Sequence, residues 1–280
     1  NKDIQSITYK DMEEKFIPYY KNKGYTNSGI NISCRTIKVF FSYLIKEKLI
    51  PEKIYFGLLP VDNEPCYINR AEIEALHEIV DNRMKRFFYF YEMTGCRGSD
   101  PFKGTIENNV WRLSPDEAKT KHWHYYKLTD ELAYIWLEFQ DLKQSYIDNG
   151  KSEKRAIKTG YQFMQKNMYR AIKELRKANL VSQTKKLTLK SFRHTFGIID
   201  VTMYKDIWST SKKMNHAEIG VTQQYLDLQN YFDLSKEFPE LKPYLVDTKP
   251  KFQGEGIPQH GNAVSPLWGG GGHALVDTKA

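Results

Sequence analysis

The chain has 280 residues, 40% of them apolar and 14% aromatic, enough to build buried cores in two ordinary domains. Its 42 Lys and Arg against 34 Asp and Glu give a net charge of +8, which favours a polyanionic partner. No apolar run approaches the roughly 18 residues of a membrane span, the amino-terminal residues lack a signal peptide's apolar core, and Cys34, Cys66 and Cys96 show neither CxxC nor metal-ligand spacing. These features exclude a membrane protein and a disulfide scaffold and point to a reducing, cytosolic compartment.

Asn1 rather than Met opens the chain, which reads as a processed or shortened start. Residues 8–22 predict a helix opened by Thr8, with Asp11 at its third position, Met12, Phe16 and Tyr19 or Tyr20 on one side, and Pro18 expected to kink it or end it early. A second helix over 28–48 places Ile30, Cys34, Ile37, Phe41 and Leu44 on one apolar face, with Arg35, Lys38 and Ser42 on another. Two helices enclose little core, so this segment reads as the second half of a small helical domain. Pro51, Pro60 and Pro65 mark the stretch 51–67 as a connection between domains.

Asn69 followed by Glu72 predicts a capped helix from Arg70 to about Val80. The aromatic run FFYFYEM at 87–93 predicts a buried helix that delivers the turn TGCRGSD at 94–100. Alternation in VWRLS and HWHYYKL predicts two short strands around PDEAKTK, with Lys119 and Lys121 at their turn. His122 and His124, flanking Trp123, read as hairpin surface or DNA contacts rather than metal ligands. Thr129 caps the next helix, with Asp130 and Glu131 in its first turn, and a polar loop is expected over 148–158. An amphipathic helix over 161–180 follows, with Met164, Met168, Ile172 and Leu175 as its apolar stripe and Lys166, Arg170, Lys173 and Lys177 along another face. After Tyr225 the pattern predicts one helix over about 226–238. In the tail, LVDTK at 245–249 recurs at 275–279 and four glycines occupy 269–272, which reads as a flexible spacer of engineered or atypical origin.

Three contexts carry chemistry: TGCRGSD, LKSFRHTF at 189–196 and NHAEIGVTQQY at 215–225. A phosphodiester attacked by a phenol needs positive groups on its non-bridging oxygens, a proton donor for the departing hydroxyl, and an exposed tyrosine held in line. Arg97 and Arg193 can grip the phosphate, since guanidinium stays charged and presents a planar fork of donors. The order of a TGxR turn, a hairpin lysine, RHTF at a helix start, and a His followed nine residues later by Tyr resembles the tyrosine recombinases and phage-type integrases over about residues 69–235, most like integrases of conjugative and integrative elements.

That resemblance implies a mainly α fold with a small antiparallel β-sheet, built as a helical core-binding domain (residues 1–62), a linker (63–68), a catalytic domain (69–235) and a C-terminal segment (236–280). It implies Arg97 and Arg193 as the catalytic arginines, Asp100 as the acid that steadies Arg97, Lys119 as general acid with Lys121 as its rival, His216 as a phosphate donor and Tyr225 as nucleophile. Relatives carry His where this chain has Lys190, which leaves open the group that accepts the Tyr225 proton; His194, next to Arg193, offers itself as a substitute, but in RHTF it is implied to be mainly structural. They also write LGH where this chain has Met214, Asn215 and His216. The implied reaction passes through a 3′-phosphotyrosine and needs neither ATP nor a metal or other cofactor. The implied partner is double-stranded DNA at a recombination site, contacted also by Arg35, Lys38, Lys121 and the Lys166, Arg170, Lys173 and Lys177 stripe, with a homo-tetramer on two duplexes, an accessory DNA-bending protein and a cytoplasmic, nucleoid-associated location. A type IB topoisomerase, toward which Lys190 leans, and a DNA-binding protein on a retired catalytic scaffold are the rival readings.

Overall fold

In the computed structural model residues 6–50, 56–61, 65–228 and 232–245 are described. The N–H and hydroxyl of Thr8 both donate to Asp11 Oδ2 at 2.9 Å, fixing the first turn of the amino-terminal helix. The chain passes through a π-helical stretch, Asp11–Phe16, into α1, Ile17–Asn22. Pro18, expected to kink or end this helix, does not stop it. The wider turn just before it suits a residue that offers no N–H and crowds the carbonyl one turn back.

Thr26 caps α2, Asn27–Lys46, by accepting the Gly29 N–H at 3.3 Å. Ile30, Cys34, Phe41 and Leu44 are buried as the periodicity predicts, against Met12, Ile17, Ile50 and Phe56. The stretch read as a connection is pinned to this helix: the Asn31 amide accepts the Leu59 N–H and donates to the Leu59 carbonyl, each at 2.8 Å, and Asn27 Nδ2 reaches Pro60 O at 2.8 Å.

Asn69 and Glu72 form the predicted reciprocal cap of α3, Arg70–Ile79. The aromatic helix α4, Asn82–Thr94, buries Phe87, Phe88, Phe90 and Tyr91 completely and ends at Gly95, whose φ of 57° is the left-handed conformation that glycine reaches without strain. A 3-10 turn, Asp100–Phe102, leads to β1 (Thr105–Glu107), β2 (Val110–Leu113) and β3 (His124–Lys127), an antiparallel sheet in that order. Trp111 lies opposite Tyr126, and the two rings stack with centroids 4.3 Å apart. Strand β1 was not foreseen, because three residues are too short to show alternation. Asn108 and Asn109 turn it back onto β2 with φ of 48° and 59°, the left-handed pair a tight two-residue hairpin needs.

Thr129 caps α5, Asp130–Asp148, as read from the sequence. The next helix, α6, runs Glu153–Lys177 and so begins inside the loop expected over 148–158 and ends before residue 180. Its first turns bury small residues, Ala156 and Gly160, and a Cβ at Gly160 would overlap the Phe102 ring, so close helix packing stands where an apolar stripe would have given a signal. The remaining helices are α7 (Leu189–Tyr204), α8 (Ile207–Lys213), α9 (Gly220–Leu228), α10 (Leu234–Glu237), a 3-10 turn at Pro239–Leu241 and α11 (Lys242–Leu245). The single helix expected over 226–238 is thus replaced by the end of α9 and the separate α10. Residues 229–231, much of the proline-rich connection, the LVDTK repeat and the tetraglycine lie outside the described residues.

Helix α7 is the centre of the larger unit. Phe192 joins the core of α3 to α6 and the sheet, whereas Ile198 and Val201 join a second core with Tyr67, Tyr225, Phe238 and Leu241. The Thr195 hydroxyl donates to Ile68 O at 2.7 Å and accepts the Ile68 N–H at 3.0 Å, clasping α7 to the start of this unit. The result is a mainly α fold with one small antiparallel sheet.

Candidate active site

The turn after α4 and the first turn of α7 interlock. Arg193 is 6% exposed; its Nη1 donates to Gly95 O at 2.7 Å and its Nη2 donates to Met214 O. The Phe196 ring occupies the space a Cβ at Gly95 would need, so the glycine of TGxR and the phenylalanine of RHTF fit each other. Arg97 Nη2 donates to Asn215 O at 2.8 Å. Among the described residues neither guanidinium makes an ion pair. Both are held by neutral main-chain carbonyls, and the buried Asp100 acts on both charges only at a distance, without a direct ion pair. Burial, with the Arg97 charge adding to it, lowers the Arg193 pKa from its ordinary value. Asp100 is buried and accepts the Arg97 main-chain N–H at 3.2 Å, while its other oxygen lies 3.6 Å from Lys103 Nζ. It therefore fixes the backbone of Arg97 rather than the guanidinium.

Lys119 and Lys121 are both exposed on the turn between β2 and β3. Glu117 organises that turn by accepting the Ser114 N–H and hydroxyl and the Gly104 N–H at 2.8–3.0 Å. Between the lysines, Thr120 Oγ1 donates to Asn215 Oδ1 at 2.9 Å, tethering the turn beside Arg97. Asn215 adopts φ of 51°. This explains the missing glycine of LGH, since Asn is among the few side chains that tolerate the left-handed region. His124, read as hairpin surface or a DNA contact, is 5% exposed and so not hairpin surface: in β3, Leu113 stands opposite it, and it lies within electrostatic reach of Arg97 and Arg193. Burial and those two arginines lower it to about 4. His122 and Trp123 are exposed as expected.

Lys190, Arg193, His194, His216, Gln224 and Tyr225 line one cleft of about 490 Å³. Lys190 is exposed at the start of α7, one turn before His194. His216 Nδ1 lies 2.7 Å from the buried Thr222 hydroxyl, and burial with Arg193 and Arg97 lowers its pKa to about 3, so the ring is neutral. With Thr222 donating to Nδ1, the Nε2–H is left as a donor.

Tyr225 is only 2% exposed, and burial raises its phenol to about 12 against the opposing pull of Arg193. A Cβ at Gly197 would overlap the Tyr225 ring and lie 2.9 Å from Met214 Sδ, so a glycine in mid-helix makes room for this ring. The His194 imidazole, implied to be structural, meets the Tyr225 hydroxyl directly, with Nδ1 3.0 Å from the phenol oxygen. Sequence reasoning considers His194 only to set it aside, and it gives no signal for the contacts of Thr120, Thr222 or Gly197, because each closes across the fold.

Of the remaining DNA-contact candidates, Lys166, Arg170 and Lys173 are exposed along α6, whereas Lys177 is exposed but paired with Glu174 at 2.8 Å. Arg35 is exposed on α2, and Lys38 Nζ sits 5.0 Å from the Phe56 ring centroid. No described helix is long and apolar enough to cross a membrane.

No family model and no curated protein matches the chain. Solved structures do. The Tn1549 transposon integrase in complex with a circular intermediate DNA aligns at TM-score 0.61 and 21% identity over 79% of this chain and 82% of that one. The XerH site-specific recombinase bound to a palindromic difH substrate aligns at 0.55 and 16%, over 84% and 72%. A lambda integrase dimer bound to a COC′ core site aligns at 0.57 and 16%, over 79% and 65%.

Proposed function

We propose that this chain, which has the tyrosine-recombinase fold shared by these structures, cleaves and rejoins DNA at specific sites through a 3′-phosphotyrosine bond. The reading rests above all on one cleft that gathers Arg193, His216 and Tyr225, with Arg97 nearby and neither guanidinium tied up in a direct ion pair among the described residues. A phosphate entering there meets the unused N–H groups of both guanidiniums and the His216 Nε2–H. The Tyr225 oxygen attacks phosphorus, the bond to the 5′-oxygen breaks, and Lys119, or Lys121 on the other side of Thr120, protonates the leaving oxygen. Bond energy is kept in the phosphotyrosine, and a second 5′-hydroxyl reverses the step to join strands.

In this reading residues 1–62 grip the duplex from one side and residues 69–235 from the other across the linker 63–68, with Arg35, Lys38, Lys121 and the α6 stripe on DNA phosphates. The exchange of strands between two duplexes calls for a tetramer, with an accessory DNA-bending protein where the site must be curved, in the cytoplasm on nucleoid DNA. Lys190 favours a second reading, a nicking and closing activity on a single duplex. Strand transfer between two oligonucleotides separates it from recombination.

The test is a nicked suicide substrate on which attack becomes irreversible. Wild-type protein is expected to form a denaturation-resistant adduct whose linked phosphate maps to one position, and Tyr225→Phe is expected to bind the DNA and form none. An adduct from Tyr225→Phe would show that another residue is the nucleophile. A wild-type protein that binds without any adduct would leave the catalytically retired DNA-binding protein.

A further inference from the structure

Resting on the strand-transfer reading, we infer that His194 accepts the Tyr225 proton, taking over a task for which position 190 holds a lysine. An ammonium has no lone pair to offer at neutral pH, so Lys190 can steady the phosphate but is a poor base. His194 Nδ1 is 3.0 Å from the Tyr225 oxygen, within the span over which a general base takes a proton. It is also the one side-chain acceptor on that hydroxyl among the described residues. Residues 190 and 194 are one helical turn apart on α7 and line the same cleft, so the imidazole is moved along one face rather than lost.

The groups facing His194 are Lys190 and Arg193 from its own helix, with His216 from the loop before α9 and Tyr225 from α9, which packs against it. Burial and the two cations lower the imidazole to about 4, so the ring is neutral, with Nδ1 open as the acceptor in the Nε2–H tautomer. In the DNA-free protein a transfer from a phenol raised to about 12 is far uphill. An anionic phosphate seated against Lys190 and Arg193 cancels the charges that disfavour imidazolium, and attack consumes the phenolate as it forms. The step is then concerted: the Tyr225 O–H bond breaks toward His194 Nδ1 while the new bond to phosphorus forms and the bond to the 5′-oxygen breaks, that oxygen taking its proton from the hairpin lysine, Lys119 or Lys121. In rejoining, the imidazolium returns the proton to Tyr225.

Single-turnover adduct formation by the full chain tests the assignment, using His194→Ala, His194→Asn and, as control, Lys119→Ala. Each is assayed on an ordinary suicide substrate and on one whose leaving 5′-oxygen is sulfur, which departs without an acid. Both His194 variants are expected to bind DNA like wild type and cleave about 100-fold more slowly or worse. The sulfur substrate is expected to rescue Lys119→Ala but neither His194 variant, whereas added imidazole or higher pH restores part of the His194→Ala rate. His194→Asn keeps a polar group of similar reach, so a wild-type rate from it would overturn the assignment, as would rescue of His194→Ala by the sulfur substrate. A wild-type protein that makes no adduct overturns the strand-transfer reading, and this assignment with it; an active wild type with active His194 variants overturns the assignment alone.

Discussion

Gly197→Ala sets two effects of known sign against each other. Gly197 lies in the interior of α7, where alanine gains about 1 kcal/mol of helix propensity over glycine. The added methyl has nowhere to go: it would sit 2.7 Å from Tyr225 Cδ2 and 2.9 Å from Met214 Sδ. Both neighbours are buried, at 2% and 0% exposure, so neither can turn aside into solvent. Overpacking of this kind costs about 1–3 kcal/mol, so the net change is a loss of up to about 2 kcal/mol, or several degrees in Tm for a unit of this size. The functional cost is larger, because the ring that must move is the proposed nucleophile, and a shift near ~1 Å also breaks its contact with His194. Adduct formation is expected to fall about 100-fold while DNA binding holds. Urea unfolding and suicide-substrate kinetics on the same preparation check both halves. A variant that is more stable by about 1 kcal/mol and cleaves at the wild-type rate would refute the reasoning, since propensity alone would then govern the site.

Acid should weaken the fold. His77, His124 and His194 are each lowered to about 4 and His216 to about 3, chiefly by burial. The unfolded chain binds these protons below about pH 6.5 and the folded chain does not until near pH 4, so stability is full above that window and falls as pH drops through it. Each ring contributes up to about 1.4 kcal/mol per pH unit; equal urea midpoints at pH 7 and pH 5 would contradict the burial of these rings. Salt dependence of DNA affinity tests the α6 stripe: Lys166→Gln, Arg170→Gln and Lys173→Gln should each flatten the log–log slope by about 0.9, while Lys177→Gln, already paired with Glu174, changes it less. No change from any of the first three would remove the stripe from the interface, and an equal change from Lys177→Gln would refute the effect of its pairing.

The sequence was most informative where local rules act alone. The Asn69 and Glu72 cap, the Thr129 cap and the stripe of Met164, Met168, Ile172 and Leu175 all follow from hydrogen-bonding residues at fixed offsets or from helical spacing, and the structure has each of them. It was least informative where packing substitutes for pattern. Gly160 fits under Phe102 and Ala156 is buried one turn earlier, which lets α6 begin early, and small residues leave no periodic trace. Arg97, Lys119, Lys190, Arg193, His216 and Tyr225 could be picked out as candidates from motifs, but their mutual geometry could not. His194 and Tyr225 are 31 residues apart, and only the return of α9 against α7 brings the imidazole to the phenol. Asn215 is intermediate: once the left-handed backbone is seen, its replacement of glycine reads as a conservative exchange.

The carbonyls that hold the two arginines have a consequence for how this site can be lost. Gly95, Met214 and Asn215 contribute main-chain oxygens, so no single side-chain deletion removes a partner from Arg97 or Arg193. An arginine steadied by a carboxylate is disarmed when that acid is replaced; here the vulnerability passes to whatever sets the path of the backbone. The positions where mutation would spread farthest are therefore Gly95 and Asn215, whose left-handed conformations aim those oxygens. Substitutions there would tilt a guanidinium while every charged group in the cleft remained in place, a form of inactivation that an inventory of catalytic residues would never reveal.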